Sequence, residues 1–378
     1  APDGASTGHE KFEPDQVDHV LFCPPNLLTD QRLRAHLAAA GLPVEEWKRG
    51  PRVALGELDW RALLEALGTG LSEAERRDTR VALVARGADA LALRKALALA
   101  RPLSEILQRY GDAWLGRLMQ RRDALGVHYQ PIIQYPPGRL HGYECLVRGA
   151  AEEGGGKLID PLRMFQAARR LGTQYLLDRL ACRAAVYGAA RVGFGSIHYF
   201  VNVMADAIDG DIDTHLRSAL GVAEMGGLLP EQIAFEFVDA ETCFARDRKR
   251  LTALICACRE AGFAVSLDDV GAKGATLLPL DDLGPDYVKL DADLCRRAVH
   301  DADAAALLRE IAREAGRTGV TPIAKGVEDE DQLRFAIDAG IQLTQGHIHA
   351  PAAPSPLDAQ EEEQVLRQVR RTAILAPD

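Results

Sequence analysis

The sequence has no apolar run near the ~20 residues needed to cross a bilayer. Its longest apolar stretches are broken by Arg, Asp or Gly. Membrane insertion is therefore not expected. An excess of positive charge is missing too. The 378 residues carry a net charge of -10, which argues against a broad nucleic-acid face, because such a face needs clustered Lys and Arg. A small anionic ligand stays possible, since local charge decides that. Paired metal-type cysteines are also lacking. None of the seven cysteines forms C-x-x-C. Cys256 and Cys258 lie in a helical pattern, where residues two apart point to different faces. A zinc site is not expected, and reduced thiols in a cytoplasmic protein are. The opening "APDGASTGHEKFEPDQ" has no apolar core. Residues 1–16 therefore read as a disordered lead-in rather than a signal peptide.

With 47% hydrophobic residues, the chain suits a globular protein of about two or three domains. "HVLFC" and "RVALVA" are β-rich, and "DQRLRAHLAAAG" carries leucines at helical spacing. Residues 17–101 therefore predict a small α/β domain of unknown type. Residues 102–125 predict one connecting helix. Leu103, Leu107, Tyr110, Trp114 and Leu118 form its apolar stripe, which either packs internally or pairs in a homodimer. From 126 to 378, short β-rich runs alternate with amphipathic stretches. That alternation implies a mainly parallel sheet with helices outside, and its length fits a (β/α)8 TIM-like barrel. "EEEQVLRQVRR" near the end reads as a solvated closing helix.

Polar residues recur where the apolar strand runs stop: Glu144, Asn202, Glu236, Asp268, Asp269, Lys289 and Glu328. In a barrel, the C-terminal strand ends share one mouth. Acids so crowded repel and protonate unless a cation sits among them. An oxygen-rich set suits Mg²⁺, Mn²⁺ or Ca²⁺. His347 and His349 alternate along a predicted strand, so joint ligation is not expected.

From about Val127 to Pro354 the sequence resembles the EAL domain family of bacteria, which hydrolyse cyclic di-GMP. The name motif appears as Glu144-Cys145-Leu146, followed by Val147 and Arg148. "YQPI" at Tyr129, "FVNV", "FEFVD", "LDDVGAKGATL", "PDYVKLD" and "QGHIHAP" follow in the family's order. The resemblance implies a two-metal mechanism. It assigns one metal to Glu144, Asn202, Glu236 and Asp268, and a second to Asp268 and Asp269. It gives Lys289 the orientation of a water or phosphate oxygen. Gln130, Arg148 and Gln345 would hold cyclic di-GMP.

Several positions depart from the family pattern. Lys325 stands where active members have Glu, and Glu328 becomes a vestigial catalytic position. A divalent ion and an ammonium ~4 Å apart repel by roughly 8 kcal/mol at an effective dielectric near 20. Mg²⁺ or Mn²⁺ is expected at one site and not at the second. Val270 replaces Phe, Ala272, Lys273 and Gly274 replace Thr, Gly and Tyr, and Asp239 replaces the longer Glu that reaches the loop. Cys145 for Ala is a packing change. The sequence thus reads as a degenerate EAL domain in which Lys325 turns inward and pairs with Asp269 and Asp268. Three functions remain open: a receptor for cyclic di-GMP, a slow phosphodiesterase, or a protein-interaction scaffold without nucleotide.

Overall fold

The computed structural model describes residues 17–374, apart from 40, 43, 48–49, 55–62, 64–66, 68–70, 86, 122, 152–157, 194, 206–211 and 273–277. The expected lead-in over 1–16 lies outside the described residues. The chain divides into two compact units, Ala1–Arg117 and Leu118–Asp378.

The first unit holds β1 (Val17–Cys23), β2 (Val44–Trp47), β3 (Gly50–Ala54), β4 (Arg80–Ala85) and β5 (Arg101–Pro102). Their order in the sheet is β2-β3-β1-β4-β5, and every pairing is antiparallel. A Leu27–Ala39 helix follows β1, and a Glu73–Asp78 helix precedes β4. That chain order and strand order make a split βαβ, ferredoxin-like arrangement. The two-residue period of a strand explains its two faces. Val20, Phe22 and Val81 meet Leu33 and Leu37 on one face, and Leu21, Ala82 and Val84 meet Leu93 and Leu97 on the other.

The single helix expected over 102–125 is two helices, Leu103–Gly111 and Ala113–Gln120. The break follows Gly111, a residue with poor helix propensity. Leu103 is buried and Leu107 packs with it in the core of the first unit. Leu118 is buried as well, and the side chain of Tyr110 lies outside the described residues. Leu103, Leu107 and Leu118 of the stripe thus pack internally.

The second unit contains β6 (Leu125–Gln134), β7 (Arg139–Ala150), β8 (Leu158–Ile159), β9 (His198–Met204), β10 (Ile233–Val238), β11 (Ala264–Val270), β12 (Tyr287–Leu290), β13 (Thr321–Ala324) and β14 (Leu343–Gln345). Eight of them close into a ring, with β8 added beside β7. Seven ring strands are parallel, and β6 runs antiparallel to both β7 and β14. Strands buried on both faces read as near-continuous apolar runs, as "IAFEFV" does. Ile132, Phe200, Ala234, Tyr287, Ile323 and Leu343 fill the barrel interior. A second, larger layer packs between the sheet and the outer helices. The C-terminal helix Ala359–Ile374 is not merely solvated, because Val365, Leu366 and Val369 bury against Ile133. Among the described residues no helix is long and apolar enough to cross a membrane.

Candidate functional site at the barrel mouth

Successive β-strands each place a polar residue at the barrel mouth. Glu144 comes from β7, Asn202 from β9, Glu236 from β10, Asp268 and Asp269 from β11, and Lys289 from β12. Lys325 follows the last residue of β13, and Gln345 ends β14. Two lysine-centred clusters result.

Lys289 is fully buried. Its Nζ donates to Glu144 Oε2 at 2.9 Å and lies 2.6 Å from Glu236 Oε2. It also sits 5.2 Å above the Phe200 ring. Glu144 accepts further bonds from Asn202 Nδ2 at 2.8 Å and Gln345 Nε2 at 2.7 Å. Burial raises the Glu144 carboxyl, but the Lys289 ammonium and the two amides outweigh it and bring it down to about 2. Burial would neutralise Lys289, yet Glu144 and Glu236 overcome that and hold it above its usual value. Glu236 moves the other way. Burial pushes it well up, against the pull of Lys289, and Glu144 and Asp268 push further. One buried ammonium thus lies between two carboxylates, and burial holds the Glu236 pKa above its usual value.

Lys325 makes the second cluster. Its Nζ donates to Asp268 Oδ1 at 2.7 Å and to Asp269 Oδ1 at 2.5 Å. Its side chain is 21% exposed, so it faces the mouth and not bulk solvent. Burial opposes its charge, but the two aspartates raise its pKa above the ordinary lysine value. Asp268 is raised by burial, and Lys325 pulls it back. The backbone helps here. Pairing of β11 with β12 shifts register between Leu267 and Val270, and Asp269 has φ +54. Asp tolerates this left-handed region better than most residues. The kink turns two successive aspartates toward one ammonium, where a regular strand would send them to opposite faces.

The remaining expected residues divide. Gln345 is buried, and its Nε2 also donates to Gln130 Oε1 at 3.0 Å, which ties β14 to β6. Arg148 is half-buried and donates to the Val147 carbonyl oxygen. Glu328 does not join the clusters. It is exposed, and its backbone N–H donates to Gln332 Oε1. His347 is exposed, while buried His349 pairs with Thr344 Oγ1 at 2.9 Å. Both histidines lie past the end of β14 and not on a strand. Cys145 is buried as expected of a packing residue. Val270 is buried in the core layer, and Ala272 is exposed. Lys273 and Gly274 lie outside the described residues.

Asp239 accepts a bond from Thr242 Oγ1. Glu241 reaches the loop after β11, where its Oε1 accepts from Gly271 N at 2.8 Å. Sequence reasoning missed Glu241. The available signal was a second acid two residues beyond Asp239 in "VDAET".

Oxygen donors of this kind suit a hard divalent ion such as Mg²⁺. Glu236 Oε1 is buried with no hydrogen-bond partner among the described residues, an orphan that a cation would satisfy. Asn202 supplies an amide oxygen without further charge. By contrast, Lys325 already spans the two aspartates that a second ion would use. Among the described residues no three Asp, Glu, His or Cys side chains are disposed to hold a metal. Lys289 and Lys325 pair with the acids of the expected set of Glu144, Asn202, Glu236 and Asp268.

Barrel and mouth together define a TIM-type domain whose ligand end carries acids, amides and two lysines. The chain belongs to the EAL domain family, whose domain matches residues 113–352. Cyclic di-GMP phosphodiesterase NbdA of Pseudomonas aeruginosa is 30% identical over 251 residues, covering 64% of this chain and 30% of that protein. The probable cyclic di-GMP phosphodiesterase PdeB of Escherichia coli is 27% identical over 239 residues, covering 62% and 44%. The chain thus spans less than half the length of these relatives. Among solved structures, the FimX EAL domain of Xanthomonas citri in complex with c-diGMP aligns with a TM-score of 0.56 at 19% identity, covering 66% of this chain and 96% of that one. The Bacillus subtilis YkuI protein, in complex with c-di-GMP and calcium, gives 0.55 at 19% identity, covering 69% and 64%. Both likenesses are of fold.

Proposed function

We propose that this chain is a degenerate EAL domain that binds cyclic di-GMP at the barrel mouth without efficient hydrolysis. The observation that carries the reading is the Lys325 ammonium lying across Asp268 and Asp269. An ammonium neutralises crowded acids as a metal does, but it cannot lower the pKa of a bound water to generate hydroxide. The residues proposed for ligand contact persist. Gln345 and Gln130 are held together, and half-buried Arg148 offers a planar fork suited to phosphate. The names of the relatives and the ligand in the solved EAL structures support the choice of cyclic di-GMP. Free cysteines throughout suit a reducing compartment such as the cytoplasm.

One observation favours a second reading, a slow metal-dependent phosphodiesterase. The orphaned Glu236 Oε1 leaves room for one Mg²⁺ or Mn²⁺, held with Glu144, Asn202 and Asp268. Such an ion would polarise a phosphoryl oxygen. Calorimetric titration with cyclic di-GMP, with and without Mn²⁺, and chromatography of the products separate the readings. Saturable heat with intact ligand is expected. Steady conversion to the linear dinucleotide would support the slow enzyme, and no heat would overturn both.

A further inference from the structure

An open cleft of about 1110 Å³ lies on the outer wall of the barrel, between the start of β6 and the Gln174–Val192 helix. Arg183, Tyr187 and Arg191 line it. They recur at four-residue steps, so they share one face of that helix. Neither arginine has an ion-pair or hydrogen-bond partner among the described residues. Tyr187, between them, is 59% exposed. Arg121 stands among the other lining residues, positioned by a bond from Nη1 to the Ala150 carbonyl oxygen at 3.3 Å. Asp123, with Oδ1 3.8 Å from Arg121 Nε, is the single acid among the lining residues. Three guanidinium groups thus face one carboxylate, in a chain whose net charge is -10.

We propose that this cleft is a second binding site, one for a phosphate-bearing nucleotide. The two unpaired arginines supply planar, permanently charged donors that match phosphate. An exposed aromatic ring between them offers a stacking platform for a base. A plain anion would leave that ring unused. The apolar side chains of Leu125 and Val222 line the same cleft and suit a sugar and the base edge. The site is separate from the mouth, yet it shares a hairpin with it, because Gly126 on the cleft lining is cross-strand from Arg148.

The test is calorimetric titration of the full chain with GMP, guanosine and inorganic phosphate. GMP is expected to saturate. Arg183→Ala with Arg191→Ala should weaken GMP by at least about tenfold. Tyr187→Ala should weaken GMP severalfold while leaving inorganic phosphate unchanged. Gln345→Ala, at the mouth, should leave GMP binding intact, which separates this site from the cyclic di-GMP reading. The arginines and the tyrosine are exposed, so thermal unfolding should not move and serves as the control for folding. The proposal is overturned if GMP does not saturate. It is also overturned if Gln345→Ala abolishes binding while the arginine pair does not matter, or if phosphate alone binds as tightly as GMP.

Discussion

Glu241 Oε1 accepts a 2.8 Å hydrogen bond from the backbone N–H of Gly271. Glu241 lies in the first turn of the Ala240–Glu260 helix, and Gly271 directly follows β11. One strand-to-helix junction therefore steadies the next, beside the aspartates that Lys325 binds. Gly271 cannot easily be another residue, because its φ is +90 and a Cβ would meet Leu294 at 2.6 Å. Glu241→Ala leaves the Gly271 N–H without its acceptor. A loss of about 1–3 kcal/mol is expected in urea unfolding, together with faster hydrogen exchange at the Gly271 amide. Unchanged exchange there would show that Glu241 does not hold the junction.

Lys325 offers the second prediction. Lys325→Glu puts a third acid against Asp268 and Asp269 and removes their ammonium. Stability in chelator should fall by about 1–3 kcal/mol, a figure reduced from that of a fully buried pair because the lysine is 21% exposed. Mn²⁺ should restore stability, and Mn²⁺ affinity should rise by at least about tenfold. If neither chelator stability nor Mn²⁺ affinity changes, the lysine does not stand in for an ion.

Asp178 predicts a pH dependence of unusual sign. It is buried, with Oδ1 accepting from Met204 N at 3.1 Å and Oδ2 unpartnered among the described residues. Burial raises its pKa from 3.8 to about 7. Between those values the folded state holds a proton that the unfolded state has released, so the contribution of Asp178 to stability falls as pH rises. Asp178→Asn keeps an acceptor for Met204 and cannot ionise. It should be more stable than the parent at pH 8, by about 4 kcal/mol at most, with the difference shrinking as pH falls toward 4. Parallel stability curves for the two proteins would exclude this role for Asp178.

Gly346 tests how Gln345 is held. A Cβ at Gly346 would meet the Val327 carbonyl oxygen at 1.9 Å. The same Val327 backbone donates to Gln345 O at 3.0 Å and accepts from Ile348 N at 3.1 Å. Gly346→Ala should force these segments apart, destabilise the barrel by about 1–3 kcal/mol and weaken cyclic di-GMP binding. Wild-type affinity in a folded Gly346→Ala protein would mean that Gln345 does not contribute to binding.

Much of this arrangement was legible in the residues. Apolar runs ending in Glu144, Asn202, Glu236, Asp268 and Lys289 mark strand ends because a parallel strand is buried on both faces until it reaches the mouth. The inward turn of Lys325 was legible because unneutralised acids need a cation. Three things were not. The antiparallel direction of β6 leaves no mark in its side-chain period, which is two in either direction. The contact made by Glu241 depends on where a helix begins, and element boundaries are the least certain part of sequence reading. The helix break after Gly111 competes with an apolar stripe that continues through it, and periodicity alone reads straight across.

The direction of β6 also decides at which end of the barrel the β6–β7 hairpin begins. Leu125 pairs with Gly149 and Gln134 with Arg139, so β6 starts beyond Glu144 at the mouth and runs down to the closed end. A first strand parallel to the others would have begun at the far end, remote from Lys289 and Gln345. As built, Leu125 lies beside the ligand-facing rim, and the β6–β7 hairpin that carries Glu144 and Arg148 opens there.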